Sequence, residues 1–194
     1  MAFSHRTTSV LYRKTGALAV AILAITMAAC GTPPTAQSLV SQGLKAQLAG
    51  DESTAESTYQ QAIKLDPNNA IAHYDLGTVY DRQGNVSQAV TEYTATLVIS
   101  PSFTDALFNL AVDTATSDPS GAQRLYLRVL ALQPTFAAAW LNLGFILRSD
   151  GKLTEAKADW AKAVALDASL ASNVPMPSPS ADTKRATAQS TSKP

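Results

Sequence analysis

Few side chains in this 194-residue sequence are of the kinds that carry out catalysis or bind metal ions. It has one cysteine, Cys30, and of its two histidines only His73 lies beyond position 29. No His or Cys cluster has metal-site spacing, and no glycine-rich phosphate loop or nucleophile motif is present. The segment Asp150-Gly151-Lys152 matches a calcium loop only in part, and it is expected to form a turn. We therefore predict that the protein is not an enzyme, that it needs no cofactor or metal, and that His73 is a packed helix residue.

Cys30 ends an apolar run that follows a basic start. Arg6, Arg13 and Lys14 precede the apolar segment 16–29, a pattern typical of a secretory signal. The run is short against the roughly 20 residues that span a bilayer. Residues 27–30, Met-Ala-Ala-Cys, resemble the lipobox of bacterial lipoproteins, whose cysteine is acylated after cleavage. The resemblance implies a palmitate-type anchor at Cys30 on the cell membrane or outer membrane, facing the periplasm or the exterior. A chance cysteine in an ordinary signal peptide or an uncleaved single-span anchor remains the alternative.

The sequence beyond this signal repeats itself at a nearly constant interval. Prolines recur at Pro67, Pro101 and Pro134, in steps of 34 and 33. A small residue recurs in the second half of each unit, and an aromatic residue always follows it four positions later. The small residues are Ala55, Ala89, Ala122 and Ala156, and the aromatic residues are Tyr59, Tyr93, Tyr126 and Trp160.

This pattern resembles the tetratricopeptide repeat, a helix-turn-helix unit of about 34 residues. The resemblance implies an all-α, right-handed α-solenoid of four units, spanning about 36–69, 70–103, 104–136 and 137–171. Residues 1–29 are then the signal peptide, 30–35 a lipidated tether and 172–194 a Ser/Thr/Pro/Ala-rich tail predicted to be disordered. Eight helices are expected, the fifth at about Thr104–Thr116 and the eighth at about Leu153–Leu170.

The repeating residue types have a packing reason. Small residues let the two helices of a unit approach closely, and the aromatic ring of the second helix fills the adjoining space. Gly50, Gly84 and Gly151 are expected to supply a positive φ at the turns. The predicted repeat-packing residues are Gly43, Ala55, Tyr59, Gly77, Tyr80, Ala89, Tyr93, Tyr126, Trp140, Gly144, Ala156 and Trp160.

In the tetratricopeptide family, one face of the first helix of each unit lines a concave groove. Chaperone-docking members carry Lys and Asn there to hold a terminal carboxylate, and this chain lacks that basic set. Its predicted peptide groove is instead largely apolar: Val40, Leu44, Tyr74, Thr78, Phe108, Val112, Leu141 and Phe145. Such a patch usually marks an interaction site. Two alternatives stay open. In the first, residues at the fifth position of the first helices, such as Val40 and Leu141, pack between adjacent first helices. In the second, the last helix, with Val164 and Leu166, forms a docking or dimer surface.

The net charge of the chain bears on which class of partner it binds. Removing the segment 1–29 takes away Arg6, Arg13 and Lys14 and no acidic side chain, which leaves a net charge of −3. Nucleic acid is therefore not expected as a partner. We predict a membrane-anchored scaffold that binds a protein partner, similar to repeat lipoproteins that assist assembly of pili, secretion pores or outer-membrane proteins. The alternatives are an adaptor or regulator of a cell-wall enzyme and, with least support, an enzyme in its own right.

Overall fold

A computed structural model of the protein describes residues 33–175. This part of the chain is helical and contains no β-strand. Eight α-helices are followed by a short 3₁₀ helix, Ala168–Asn173. The α-helices are α1 (Ala36–Leu48), α2 (Glu52–Leu65), α3 (Ala70–Arg82), α4 (Val86–Ile99), α5 (Thr104–Thr114), α6 (Pro119–Leu132), α7 (Ala137–Ser149) and α8 (Leu153–Leu166). Within the described residues, each helix is too short or too polar to cross a lipid bilayer.

The turn inside three of the four units has the same geometry. Gly84 follows α3 with a φ of 77°, a left-handed conformation that glycine adopts without strain. The next amide, Asn85 N, donates to Tyr80 O at 2.8 Å and thereby closes the end of the helix. Gly50 and Gly151 have a φ of 78°, and the same bond closes α1 and α7. The positive φ expected at these glycines is confirmed.

Each unit pairs two helices through a glycine or alanine. Each helix packs mainly against the helices that precede and follow it in the chain, and α1 also contacts α3. A Cβ atom at Gly77 would lie 2.7 Å from the Tyr93 ring, so only glycine admits that ring. Gly43 stands in the same relation to Tyr59, and Gly144 to Trp160. In the third unit Ala111 takes the glycine's place and is itself fully buried.

The core is a narrow strip that follows the repeats. The second-helix rings Tyr59, Tyr93, Tyr126 and Trp160 are buried in it, as are Ala55, Ala89 and Ala156. Tyr80 is buried too, whereas Trp140 is only half-buried. Leu97 packs against both the first and the second half of the core, so the strip is continuous along the array. Stability in such an array is approximately a sum of unit and interface contributions.

His73 and Trp140 make equivalent contacts with the preceding turn in different units. Both occupy the fourth position of the first helix in their unit. Trp140 Nε1 donates to Pro134 O at 2.9 Å, and His73 Nε2 lies 3.1 Å from Pro67 O. His73 Nδ1 also lies 2.7 Å from a Glu92 carboxylate oxygen. His73 is therefore a packed residue that ties the helix to the preceding turn, as the sequence predicts.

The end of the array differs from the prediction. Helix α8 ends at Leu166 rather than near Leu170, because the Asp167 carboxylate accepts the Ser169 amide at 2.9 Å and starts the 3₁₀ helix. Leu170 and Val174 then pack against the core. The part of α8 around Val164 is thus partly covered by the chain's own 3₁₀ segment, with an apolar cleft of about 270 Å³ between them.

The third unit is shorter than the others and leaves a gap. Helix α5 ends at Thr114, short of the predicted end at Thr116, and Pro119 starts α6 with the Asp118 side chain capping it. Thr114 stands where the second unit has the buried ring of Tyr80 and the fourth has Leu147. A cleft of about 440 Å³ opens beside it, between α4, α5 and α6.

Filling that cleft should stabilise the protein. We expect Thr114→Leu to raise the free energy of unfolding by about 1 kcal/mol, because it buries additional methyl groups at about 0.8 kcal/mol each. Urea unfolding followed by circular dichroism measures the change. The matched control is Thr91→Leu on the exposed face of α4, which should have little effect. Equal effects of the two substitutions would show that the cleft is not the cause.

Candidate peptide-binding groove

The first helices of the four units, α1, α3, α5 and α7, present adjacent faces that share polar and aromatic contacts. We call this surface the groove and define it by the second, fifth, ninth and twelfth residues counted from the start of each of these helices. These are Gln37, Val40, Leu44, Gln47, Ile71, Tyr74, Thr78, Asp81, Asp105, Phe108, Val112, Ala115, Ala138, Leu141, Phe145 and Arg148. Gln47 Nε2 of α1 donates to Thr78 Oγ1 of α3 at 2.9 Å. Farther along, Val112 of α5 and Phe145 of α7 line one cleft of about 320 Å³. The structure therefore brings Thr78 into contact with α1 and places Val112 beside Phe145.

Two of the eight predicted groove residues are not available on that surface. Val40 is 5% exposed and Leu141 is 7% exposed, and both belong to the core. Here the alternative of packing between helices is right, because these aliphatic side chains remain inside the helix contacts. By contrast, Leu44 and Val112 are each 46% exposed, and Tyr74, Thr78, Phe108 and Phe145 are partly exposed.

The fifth-position rings are held by other rings rather than standing free. Tyr74 lies 4.8 Å from Phe103 and 5.9 Å from Tyr93, measured between ring centroids. Phe108 repeats this arrangement with Phe136 at 4.8 Å and Tyr126 at 5.8 Å. Such tilted pairs are worth about 0.5–1.5 kcal/mol each beyond area burial. The aromatic rings of the groove therefore pack against other rings before any partner binds.

Phe103 and Phe136 were missed by the sequence analysis. Each is the residue immediately before a first helix, the place where Thr35 and Asn69 cap α1 and α3 through their side chains. The two phenylalanines make no side-chain cap, which costs about 1 kcal/mol at each helix start. The ring contacts with Phe108 and Tyr74 offset that cost. The sequence does contain a signal for them, which is a phenylalanine in place of a capping residue immediately before each of these two helices.

The buried second-helix aromatics carry polar tips that reach the groove floor. Tyr59 donates to Gln47 Oε1 at 3.0 Å, and Tyr93 donates to Asp81 Oδ2 at 2.5 Å. Burial raises the pKa of both hydroxyls, so each remains a donor at neutral pH. Asn109 and Asn142 donate to the hydroxyls of Tyr93 and Tyr126 at 3.2 and 3.1 Å. These bonds fix the groove polar groups to the core.

Carboxylates gather in the middle of the groove, at Asp81 and Asp105, and directly beside it, at Asp75 and Asp113. Asp75 and Asp81 lie on α3, and Asp105 and Asp113 lie on α5. Burial raises the pKa of Asp75 to about 6. Burial and the neighbouring negative charge of Asp81 raise the pKa of Asp113 as well. The far end is different, because Arg148 of α7 lies 5.5 Å from the centroid of the Phe145 ring and 5.8 Å from that of Trp160.

The raised pKa of Asp75 predicts how the stability of the fold changes with pH. Its folded-state pKa exceeds the ordinary value of 3.8, so the native state binds more protons between about pH 4 and pH 6. Asp75 therefore costs no stability below pH 4 and destabilises the fold above pH 6. Asparagine stands at the same position in the next two units, as Asn109 and Asn142.

We expect Asp75→Asn to raise the melting temperature at pH 8 and to leave it nearly unchanged at pH 4. Thermal melts of the two proteins at both pH values measure this difference. Asp105→Asn is the control, because Asp105 is exposed and should show little dependence of this kind. A stabilisation that is the same at both pH values would mean that Asp75 titrates normally.

Metal binding and lipid attachment are the other kinds of chemistry considered for this sequence. Within residues 33–175 no group of His, Cys, Asp and Glu has the arrangement of a metal site. Cys30 and the lipobox, together with residues 176–194 of the tail, lie outside the described residues. The lipid anchor therefore stays a prediction from the sequence.

Comparison with protein families supports the repeat assignment. A family described as TPR repeat matches residues 53–84, and one described as tetratricopeptide repeat matches residues 125–158. Human protein O-mannosyl-transferase TMTC3 is 31% identical over 124 residues, which is 61% of this chain and 13% of that protein. Mouse DnaJ homolog subfamily C member 3 is 27% identical over 135 residues, 70% of this chain and 20% of that protein. The chain therefore spans only a small part of the length of these curated relatives.

Solved structures establish the fold. A crystal structure of MamA superposes with a TM-score of 0.66 at 19% identity, covering 87% of this chain and 99% of that one. The first TPR domain of Spaghetti (RPAP3), bound to the HSP90 peptide SRMEEVD, superposes with a TM-score of 0.56 at 23% identity. It covers 60% of this chain and 96% of that one. The predicted fold is confirmed: a right-handed α-solenoid of about four tetratricopeptide units.

Proposed function

We propose that this tetratricopeptide solenoid is a scaffold that binds a segment of a protein partner in the groove. The observation that carries the proposal is the row of partly exposed apolar side chains on adjacent first helices: Leu44, Tyr74, Phe108, Val112 and Phe145. Contiguous apolar surface of this kind usually marks an interaction site. The Tyr74 and Phe108 rings already pack against Phe103 and Phe136, and such preorganisation lowers the entropy cost of binding.

The shape of the groove favours an extended or helical segment as the ligand. The cleft between Val112 and Phe145 has room for one apolar side chain of such a segment. Main-chain polar groups of the segment would meet the amides of Asn109 and Asn142, which are held by tyrosine hydroxyls. The structure of the RPAP3 domain with a bound peptide supports peptide binding by a solenoid of this fold.

Site-specific crosslinking tests the proposal. A photoreactive amino acid replaces Phe108 in one variant and Leu127 in a second, and the proteins are irradiated in the producing cells. Leu127 is the control because it is 49% exposed on α6, a second helix outside the groove. We expect one crosslinked protein from position 108 that is absent from position 127. The same products from both positions would contradict binding in the groove.

We further propose that the solenoid is tethered to a membrane through lipid on Cys30. The support is the sequence alone: a basic start, an apolar run over positions 16–29 and a lone cysteine at its end. Two or more acyl chains anchor a protein stably, since each buried CH₂ contributes about 0.8 kcal/mol. The anchor would place the groove on the periplasmic or outer face of a cell membrane or outer membrane.

Replacing Cys30 with serine should prevent attachment of the lipid. We expect the Cys30→Ser chain to appear either in the soluble fraction or as unprocessed precursor, because serine cannot take the thioether-linked lipid. Intact-mass measurement of both forms after membrane fractionation reports the lipid directly. Acylation that persists in the Cys30→Ser chain would disprove the assignment of the anchor to this residue.

A membrane-tethered scaffold with a segment-binding groove is suited to assisting assembly of an envelope complex, such as pilus, secretion or outer-membrane machinery. The role of an adaptor for a cell-wall enzyme uses the same groove and differs only in the partner. The identity of the protein crosslinked from position 108 separates these two roles.

A further inference from the structure

The carboxylates in and beside the middle of the groove have no cationic partner among the described residues. The ion pairs in residues 33–175 use other acids: Glu92, Glu52, Asp118 and Asp159. Asp75, Asp81, Asp105 and Asp113 take part in none of them. The like charge of Asp81 acts on Asp113 of the adjacent helix, and this repulsion destabilises the free protein.

The environment of Asp113 shows how poorly this charge is compensated. Its Oδ2 atom is fully buried and has no hydrogen-bond partner in the described part of the chain. The neighbouring Asp81 adds a like charge, and burial with that charge raises the pKa of Asp113. A buried, unpaired polar atom is costly, so structures usually provide it with a partner. Within residues 33–175, the side chain that acts on the Asp113 carboxyl by hydrogen bonding and by charge is Asp81, a second acid.

Aromatic and acidic side chains lie close together on α3 and α5. Burial raises the pKa of the Tyr74 hydroxyl, and the negative charges of Asp105, Asp75 and Asp81 raise it further. The Tyr74 and Phe108 rings lie on the same two helices as the carboxylates. Aromatic faces attract cations as well, by about 0.5–1 kcal/mol at exposed sites. Among the groove positions the one basic side chain is Arg148 at the α7 end, and Arg82 of α3, beside Asp81, is paired with Glu52.

We propose that the occupant of the groove is a peptide segment in which Lys or Arg residues alternate with apolar residues. This inference rests on the function proposed above and adds the chemistry of the partner. Its basic side chains meet Asp81 and Asp105, and an apolar side chain enters the cleft beside Val112. Charge complementarity of this kind sets specificity and association rate more than total affinity.

Three synthetic peptides of equal apolar content test the charge preference. Each consists of five copies of one triplet, which is Leu-Lys-Thr, Leu-Gln-Thr or Leu-Glu-Thr, and each carries a fluorophore for anisotropy measurements with the full chain. We expect the Lys peptide to bind at least tenfold more tightly than the Glu peptide, with the Gln peptide between them. Added salt should reduce this difference.

Two variants of equal charge locate the effect. Asp81→Asn with Asp105→Asn should remove most of the preference, and both changes conserve side-chain shape. The matched control is Asp150→Asn with Glu155→Gln, which removes two exposed carboxylates near the turn between α7 and α8. It should retain the preference. Loss of the preference in both variants, or in neither, would overturn the assignment to the groove.

The remaining outcomes separate this inference from the function on which it rests. Equal binding of the three peptides would overturn the charge inference and leave the groove as a binding site. No binding of any peptide would count against the groove itself. Finally, deletion of residues 176–194, which contain Lys184, Arg185 and Lys193, should not change the affinity for the Lys peptide. A tenfold gain would identify the chain's own C-terminus as the occupant and overturn the proposal of a separate partner.

Discussion

Replacing Tyr93 with alanine should lower the free energy of unfolding by about 3–5 kcal/mol, the range for removing a buried aromatic ring from a core. Tyr93 is fully buried in the second unit and lies directly against Gly77. Its hydroxyl also joins Asp81 of α3 to Asn109 of α5, so it links two units. Alanine would leave a cavity at the centre of the array and remove that link. Denaturant unfolding of the full chain measures the change.

Two further variants divide the effect into its parts. Tyr93→Phe keeps the ring and removes the hydroxyl, and it should cost about 1–3 kcal/mol because the lost hydrogen bond ends on a carboxylate. Leu127→Ala removes an exposed side chain from α6 and should cost well under about 1 kcal/mol. If Tyr93→Ala cost no more than Leu127→Ala, the ring against Gly77 would not hold the unit together.

Arginine in place of Val112 should reduce binding of the partner segment at least tenfold, which corresponds to about 1.4 kcal/mol. Val112 is 46% exposed and lines the cleft with Phe145, so a longer charged side chain would occupy the space proposed for an apolar anchor. It would also repel a basic segment. Titration with the segment of the protein that crosslinks from position 108 measures the loss.

The matched control for this substitution is Leu127→Arg. Leu127 is 49% exposed on a second helix, so the control makes the same change of charge and a similar change of size outside the groove. The helicity and melting temperature of both variants should remain close to those of the unmodified chain. An equal loss of binding in the two variants would point to net charge rather than to the groove.

Much of the fold follows from spacing because the packing is periodic. A buried ring such as Tyr93 packs directly against the backbone of the facing helix. Glycine permits this contact, and the sequence places Gly77 at a constant separation before the ring. The turn glycines are equally predictable, since the left-handed conformation at Gly84 favours that residue. These requirements are local to one unit, so one repeat predicts the next.

The groove was harder to predict because it depends on contacts between units. Val40 and Leu141 share a helix position with Tyr74 and Phe108, yet their shorter side chains remain in the core while the rings extend to the surface. Phe103 occupies a capping position, and its role becomes clear only when its distance to Tyr74 is known.

The carboxylates of α3 and α5 show the same limitation. In the sequence Asp81 and Asp113 are two ordinary acidic residues in different units. Only the stacking of α5 on the preceding unit brings them together and buries the Oδ2 atom of Asp113. Charge clustering between units therefore cannot be deduced from the pattern of a single repeat.

The most direct measurement of the central claim is nuclear magnetic resonance mapping of the segment identified by crosslinking, titrated into isotope-labelled full chain. If the segment lies in the groove, the resonances that shift will belong to groove residues such as Tyr74, Phe108, Val112 and Phe145. Those of Leu127 and Leu132 on α6 will stay unchanged. Shifts concentrated on the second helices, with the groove resonances unmoved, would contradict the account.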